Sequence, residues 1–167
     1  LGTQQVCGVR AVVICDEEGV EMVSVLWKIA AGESDTDRFE ATSVNNLIAD
    51  VDPASGRVRM ARGMKGRVTA APLTGTPLEG FVLPDWEAVP PLLVRAAAAF
   101  PMMRVQHWDV ALTDRGPCLL EVNDIGVIGP LQVFGHGLVT PRLRRLLQRH
   151  ADSEAAPWLA RIWRPGK

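Results

Sequence analysis

The sequence lacks the features that define several large classes of protein. Cysteine is scarce, since Cys7, Cys15 and Cys118 are the only ones in 167 residues, an odd number without a C-x-x-C spacing. They predict buried free thiols rather than a disulfide framework or a zinc site. No apolar run reaches the roughly 20 residues of a membrane-spanning helix, and no signal-like segment opens the chain. We therefore expect a cytoplasmic protein without a membrane span.

An excess of charge of either sign is also missing. The formal net charge is −1 and the isoelectric point is about 6.3, which removes the electrostatic reason to expect nucleic acid or an anionic membrane as the main partner. Lysine is rare among the 18 basic residues, and none lies in a glycine-rich loop of the P-loop type. The G-x-S-x-G pattern of serine hydrolases is absent as well.

The sequence does contain enough apolar material for a core, and its clearest patterns are two hairpins. Hydrophobic residues make up 47% of the chain, which excludes wholesale disorder. The β-branched run Val9–Ile14 and the run Val20–Ile29 flank a polar turn and predict the first hairpin. Val105–Leu112 and Pro117–Val122 flank the turn Thr113–Gly116 and predict the second.

The region between the hairpins, from Ala31 to Gly80, is rich in loops and predicts only short strands at Val58–Ala61 and Arg67–Ala71. A helix is expected from the Pro90–Pro91 pair to Phe100, and another from Thr140 to His150.

This order of elements predicts an α+β fold, a mainly antiparallel sheet flanked by helices. Residues 1–150 are expected to form one domain, and residues 151–167 a tail or short helix. The three histidines (His107, His136 and His150) match no metal-ligand spacing, and Gly135–Gly137 is interpreted as a loop before a helix.

The side chains best suited to bind a metal lie in the second predicted hairpin. Glu121 and Asn123 are two residues apart on one strand and therefore share a face. Pairing around the turn predicts that the numbers of opposite residues sum to about 229 or 230, which places Asp109 level with Glu121 or next to it. Such oxygen ligands suit Mg²⁺. The alternative is that these side chains lie on the solvent face of an amphipathic strand, but their apolar neighbours favour a carboxylate with a partner.

The segment H-W-D-V-A-L-T-D-R-G-P-C-L-L-E-V-N at residues 107–123 resembles the metal-binding end of an ATP-grasp ligase, most closely in the sugar-transfer-associated ATP-grasp family. Four further segments resemble that family in the same order, so that the resemblance covers residues from about 4 to 150; they are Val6–Val13, Trp27–Asn46, Val51–Val58 and Leu73–Trp86. The fold it implies is the ATP-grasp C-terminal subdomain.

The resemblance also implies roles for individual residues. Asp109, Glu121 and Asn123 fall where the family places its magnesium ligands. Arg10 falls where an arginine contacts the nucleotide phosphates or an acyl-phosphate intermediate. Residues expected near the phosphates or the acceptor are Lys28, Asn45 and Asn46.

The family chemistry is ATP- and Mg²⁺-dependent activation of a carboxylate to an acyl phosphate, which an amine then attacks. Two departures stand out, since His107 replaces a small residue and Asn45–Asn46 replaces a glycine-rich pair. Only the C-terminal subdomain is matched and the chain starts at Leu1, so we expect an N-terminal half to complete the site. The alternative is a non-catalytic half-domain that serves as a binding or assembly module.

Overall fold

The computed structural model describes residues 7–31 and 46–151 of the chain. The chain divides into two compact units, residues 1–136 and residues 137–167. The described part of the first unit contains a β-sheet and the α-helices α1 (Val89–Ala98) and α2 (Gly129–Gln132). The second contains α3 (Pro141–Ala151), where Thr140 caps the first turn by accepting the backbone N–H of Leu143 at 3.2 Å.

The sheet has seven strands in the order β5-β4-β3-β2-β1-β6-β7. Every neighbouring pair of strands is antiparallel. The strands are β1 (Val9–Asp16), β2 (Gly19–Ile29), β3 (Leu47–Val51), β4 (Val58–Gly63), β5 (Gly66–Val68), β6 (Val105–Thr113) and β7 (Gly116–Asn123). The predicted α+β class is confirmed, and so are both hairpins, β1–β2 and β6–β7.

The register of the β6–β7 hairpin takes both of the expected values. Asp109 lies opposite Glu121, whereas Val110 lies opposite Leu119. The pairing shifts by one residue between Asp109 and Val110, where β7 carries an extra residue. The bulge therefore brings Asp109 level with Glu121.

One face of the sheet forms the main core with α1. The strand residues on this face alternate with those on the other, as in Val9, Ala11 and Val13 of β1. Val89 and Leu93 bury the apolar stripe of α1 in the same cluster. The helix begins one residue before the Pro90–Pro91 pair, close to the expected start, because the first turn tolerates residues without an N–H.

A buried glutamine joins the end of α1 to the sheet. Gln106 on β6 is fully buried, and its Nε2 lies 3.1, 3.1 and 2.9 Å from the carbonyl oxygens of Ala97, Phe100 and Met103. Its Oε1 accepts the indole N–H of Trp108 at 2.7 Å. Gln106 thus ties the segment that ends α1 to β6, in addition to the backbone hydrogen bonds that Ala97 and Phe100 already accept.

The structure corrects or extends several expectations. The loop-rich region contains β3, a central strand that the sequence did not predict. Cys15 is buried as expected, but Cys118 is exposed because β7 forms an edge of the sheet. The tail or short helix predicted for residues 151–167 lies, beyond residue 151, outside the described residues. Within the described ranges, no helix combines the length and apolar character that a membrane crossing requires.

Candidate functional site

The candidate site lies on the sheet face opposite the α1 core. Arg10 on β1 is directly opposite Asp109 on β6, and Asp109 is directly opposite Glu121 on β7. Directly opposite residues of antiparallel strands project to the same face. The strand order β1-β6-β7 therefore aligns a cation and two carboxylates in a single row.

Asp109 is held by two cations. Arg10 forms a two-pronged ion pair with it, with Nε 2.8 Å from Oδ1 and one terminal nitrogen 2.6 Å from Oδ2. Lys28 on β2 places its Nζ 3.2 Å from the same Oδ2. Only 8% of the Asp109 side chain is exposed, against 21% for Arg10 and 15% for Lys28. A carboxylate buried to this degree requires such partners.

The balance of burial and charge fixes the ionisation of Asp109. Burial by itself raises the pKa of the carboxyl, but the hydrogen bond from Arg10 and the positive charges of Lys28 and Arg10 together outweigh it. The net result is a pKa below the ordinary aspartate value. Asp109 is therefore an anion at neutral pH.

Glu121 and Asn123 form the open end of the row. The Asn123 amide donates to Oε1 of Glu121 at 3.0 Å, which confirms that the two side chains share a face. The same Oε1 lies 4.0 Å from a terminal nitrogen of Arg10, and the Glu121 side chain is 58% exposed. Among the described residues, no group of three or more histidine, cysteine, aspartate or glutamate side chains is arranged to hold a metal.

His107 lies beside this row, opposite Asn123 in the β6–β7 pairing. It is 3% exposed, and its Nδ1 has no hydrogen-bond partner within the part of the chain that the structure describes. Burial lowers the pKa of His107, as does the charge of Arg10, against an opposing effect of Asp109. A Cβ on Gly126 would lie 2.0 Å from Nδ1, so the backbone after β7 closes over the ring.

The remaining predicted residues do not join the row. Asn46 is buried directly before β3, with 1% of its surface exposed, and Asn45 lies outside the described residues. The phosphate role of both stays a prediction. Sequence reasoning missed Asp50, which belongs to β3 and faces Leu26, the residue opposite Arg10. The signal available was an acidic residue between the apolar Ala49 and Val51.

The antiparallel sheet with its acidic E-x-N strand is of the ATP-grasp type, and comparison with known proteins supports this class. A family model, described as sugar-transfer associated ATP-grasp, matches residues 1–148. The chain belongs to the sugar-transfer associated ATP-grasp family. Searches of curated proteins and of solved structures gave no significant match.

Proposed function

We propose that this chain supplies the metal- and phosphate-binding part of a ligase that uses Mg²⁺ and ATP to join a carboxylate to an amine. Membership in the family already establishes an ATP-grasp domain of the ligase type. The observation that carries the finer proposal is the row of Arg10, Asp109 and Glu121 on one sheet face, with Lys28 beside it.

The donor set fits a magnesium ion that is bound partly through a nucleotide. Mg²⁺ prefers oxygen ligands and usually takes one or two carboxylates together with substrate phosphates and water. Asp109 and Glu121 supply the carboxylates, and Asn123 supplies an amide oxygen while its Nδ2 is engaged with Glu121. Glu121 is the more accessible ligand because both oxygens of Asp109 accept from cations.

Magnesium bound here would neutralise phosphate charge, which is the main requirement of phosphoryl transfer. Arg10 and Lys28 are fixed by Asp109 and add positive charge within the same site. Their roles are to bind and orient the phosphates, because both cations are held in place before any ligand arrives. Asp109 holds these cations in place, and Glu121 is the carboxylate that remains accessible to the metal.

The first experiment measures Mg-ATP binding to the chain by calorimetry. Glu121→Gln should weaken the magnesium-dependent affinity by about tenfold or more, because it removes one of the two carboxylates. The control is Glu87→Gln, an exposed glutamate near α1, which should bind like the wild type. Equal affinity of the Glu121→Gln variant would refute the metal assignment. A folded wild-type chain that binds no Mg-ATP even when an N-terminal half is supplied would instead favour the non-catalytic binding or assembly module.

The second experiment tests the chemistry in the presence of any N-terminal half required. Candidate carboxylic acids, for which amino acids and uronic acids are a reasonable panel, are incubated with Mg-ATP and hydroxylamine. Hydroxylamine converts an acyl phosphate to a hydroxamate, which is measured by its iron complex. The proposal expects hydroxamate and ADP in equal amounts, and the loss of both in Glu121→Ala. ADP release without any hydroxamate would refute the acyl-phosphate step.

A further inference from the structure

A second charged cluster lies on the same sheet face as the candidate site. Asp50 on β3 is directly opposite Leu26, and Leu26 is directly opposite Arg10. Neighbouring strands are about 4.8 Å apart, so the backbones of Asp50 and Arg10 are about 10 Å apart. A small substrate could span this distance, with its phosphate at Arg10 and its reacting group near Asp50.

Asp50 is a buried carboxylate paired with one histidine and one arginine. It is 4% exposed, and its Oδ2 lies 2.9 Å from Nε2 of His136 and 3.7 Å from a terminal nitrogen of Arg59. Burial without such partners would be costly for an ionised group. The imidazole, in contrast, is accessible, because half of the His136 side chain is exposed.

The segment that carries His136 is anchored to β4. Arg62 on β4 donates to the carbonyl oxygen of Val133 at 2.7 Å, and Gly135 adopts a positive φ of 85° that reverses the chain just before the histidine. The imidazole stacks on the ring of Phe134, with 6.5 Å between the ring centroids. His136 is thus oriented by several contacts, unlike a solvated surface histidine.

The contact with Asp50 determines which ring nitrogen is basic. In a neutral imidazole one nitrogen carries the proton and the other accepts one. Because Nε2 faces the Asp50 carboxylate, the proton resides on Nε2 and the lone pair on Nδ1. No hydrogen bond to Nδ1 is present among the described residues. A carboxylate-oriented imidazole with an open nitrogen is the arrangement of a general base.

We propose that the His136–Asp50 pair accepts the proton of the amine nucleophile, an inference that rests on the proposed ligase function. The lone pair of the amine nitrogen forms the new C–N bond to the acyl carbon. The C–O bond to phosphate breaks, and inorganic phosphate leaves with that electron pair. One proton of the amine moves to Nδ1 of His136, and Asp50 stabilises the resulting imidazolium.

The tautomer of His136 is tested by ¹⁵N NMR on the full chain at about pH 8.5, where a free imidazole is neutral. The signal is assigned by its loss in His136→Gln. We expect a protonated Nε2 in the wild type, and a mixture of tautomers in Asp50→Asn. The matched control is Asp52→Asn, because Asp52 also pairs with Arg59 but has no contact with His136. A wild-type protein with the proton on Nδ1 would overturn the proposal.

The proton-transfer role is tested by the ratio of two products. Acyl phosphate is trapped either by hydroxylamine, a nucleophile strong enough to react without a base, or by an equimolar mixture of amino acids as the amine probe. His136→Gln should lower the ratio of amide to hydroxamate about 100-fold, whereas Asp52→Asn should keep the wild-type ratio. An unaltered ratio in His136→Gln overturns the inference and leaves the ligase function standing. A wild type that gives no hydroxamate overturns both.

Discussion

The ion pair between Arg10 and Asp109 should contribute more to folding than any exposed pair in this protein. Removal of one partner of a buried pair leaves an uncompensated charge and costs about 3 to 5 kcal/mol. Here Lys28 still contacts Asp109 at 3.2 Å, and Arg10 is 21% exposed. We therefore expect Arg10→Met to lower the free energy of unfolding by about 2 to 3 kcal/mol.

The chain offers a matched control for this change. Arg67 and Glu79 form the same two-pronged geometry, with both nitrogen–oxygen distances at 2.8 Å, but their side chains are 59% and 30% exposed. Exposed ion pairs often contribute nothing measurable, because water screens them and ordering long side chains costs entropy. Arg67→Met should accordingly leave the unfolding midpoint unchanged.

The assay is urea unfolding followed by circular dichroism. With a typical slope of about 1 to 3 kcal/mol per molar urea, Arg10→Met should shift the midpoint by about 0.7 to 3 M. The double variant Arg10→Met/Asp109→Leu should recover part of the loss, since the more deeply buried carboxylate that lost its main partner is then removed as well. Equal midpoint shifts for Arg10→Met and Arg67→Met would refute the argument from burial.

The same variant should change the acid sensitivity of the protein. The pKa of Asp109 is lower in the folded protein than its ordinary value of 3.8, so its stabilisation is present above that value and is lost as the pH falls through the lower folded pKa. In Arg10→Met burial persists while a cation is lost, which raises the folded pKa. Acid unfolding of the variant should begin at a higher pH than that of the wild type; coincident acid transitions would contradict this reasoning.

Two further predictions concern packing beside the site. Gly126→Ala should destabilise the protein by about 1 to 3 kcal/mol because the new Cβ would overlap the buried ring of His107, whereas Gly129→Ala, with open space around it, should have little effect in the same urea assay. Gln106→Leu should cost about 1 to 3 kcal/mol because it leaves the buried Trp108 N–H without its acceptor and removes the side-chain donor to the Met103 carbonyl; an unchanged thermal midpoint would contradict this prediction.

Local patterns made the hairpins predictable. Counting from the turn Thr113–Gly116 placed Asp109 level with Glu121 or next to it. The bulge between Asp109 and Val110, which counting does not predict, makes Asp109 and Glu121 directly opposite. The strand β3 could not be found in this way. Its five residues are buried on both faces, so the alternation that marks a half-buried strand is absent.

The predicted site was incomplete for a related reason. The resemblance assigned Arg10 and Lys28 to phosphates, and it placed Asp109 with the metal. Their mutual ion pairs depend on β1 lying between β2 and β6, an order that neither hairpin specifies. Pairing between β1 and β6 joins segments far apart in the sequence, and no short-range pattern encodes such a contact.

The order of the strands also explains how Asp109 and Asp50 can have different roles although they lie on one face of the sheet. The buried Leu26 on β2 lies between Arg10 on β1 and Asp50 on β3. It separates the charged cluster around Asp109 from the one around Asp50. Arg10 and Lys28 keep Asp109 anionic and occupied, so it is a poor proton acceptor. Asp50 instead contacts the half-exposed imidazole of His136. In our proposal the imidazole accepts the proton, and Asp50 stabilises the resulting charge. If the proposed function holds, phosphate binding at Arg10 and proton acceptance near Asp50 would therefore occur about 10 Å apart on a single sheet, with an apolar residue between them.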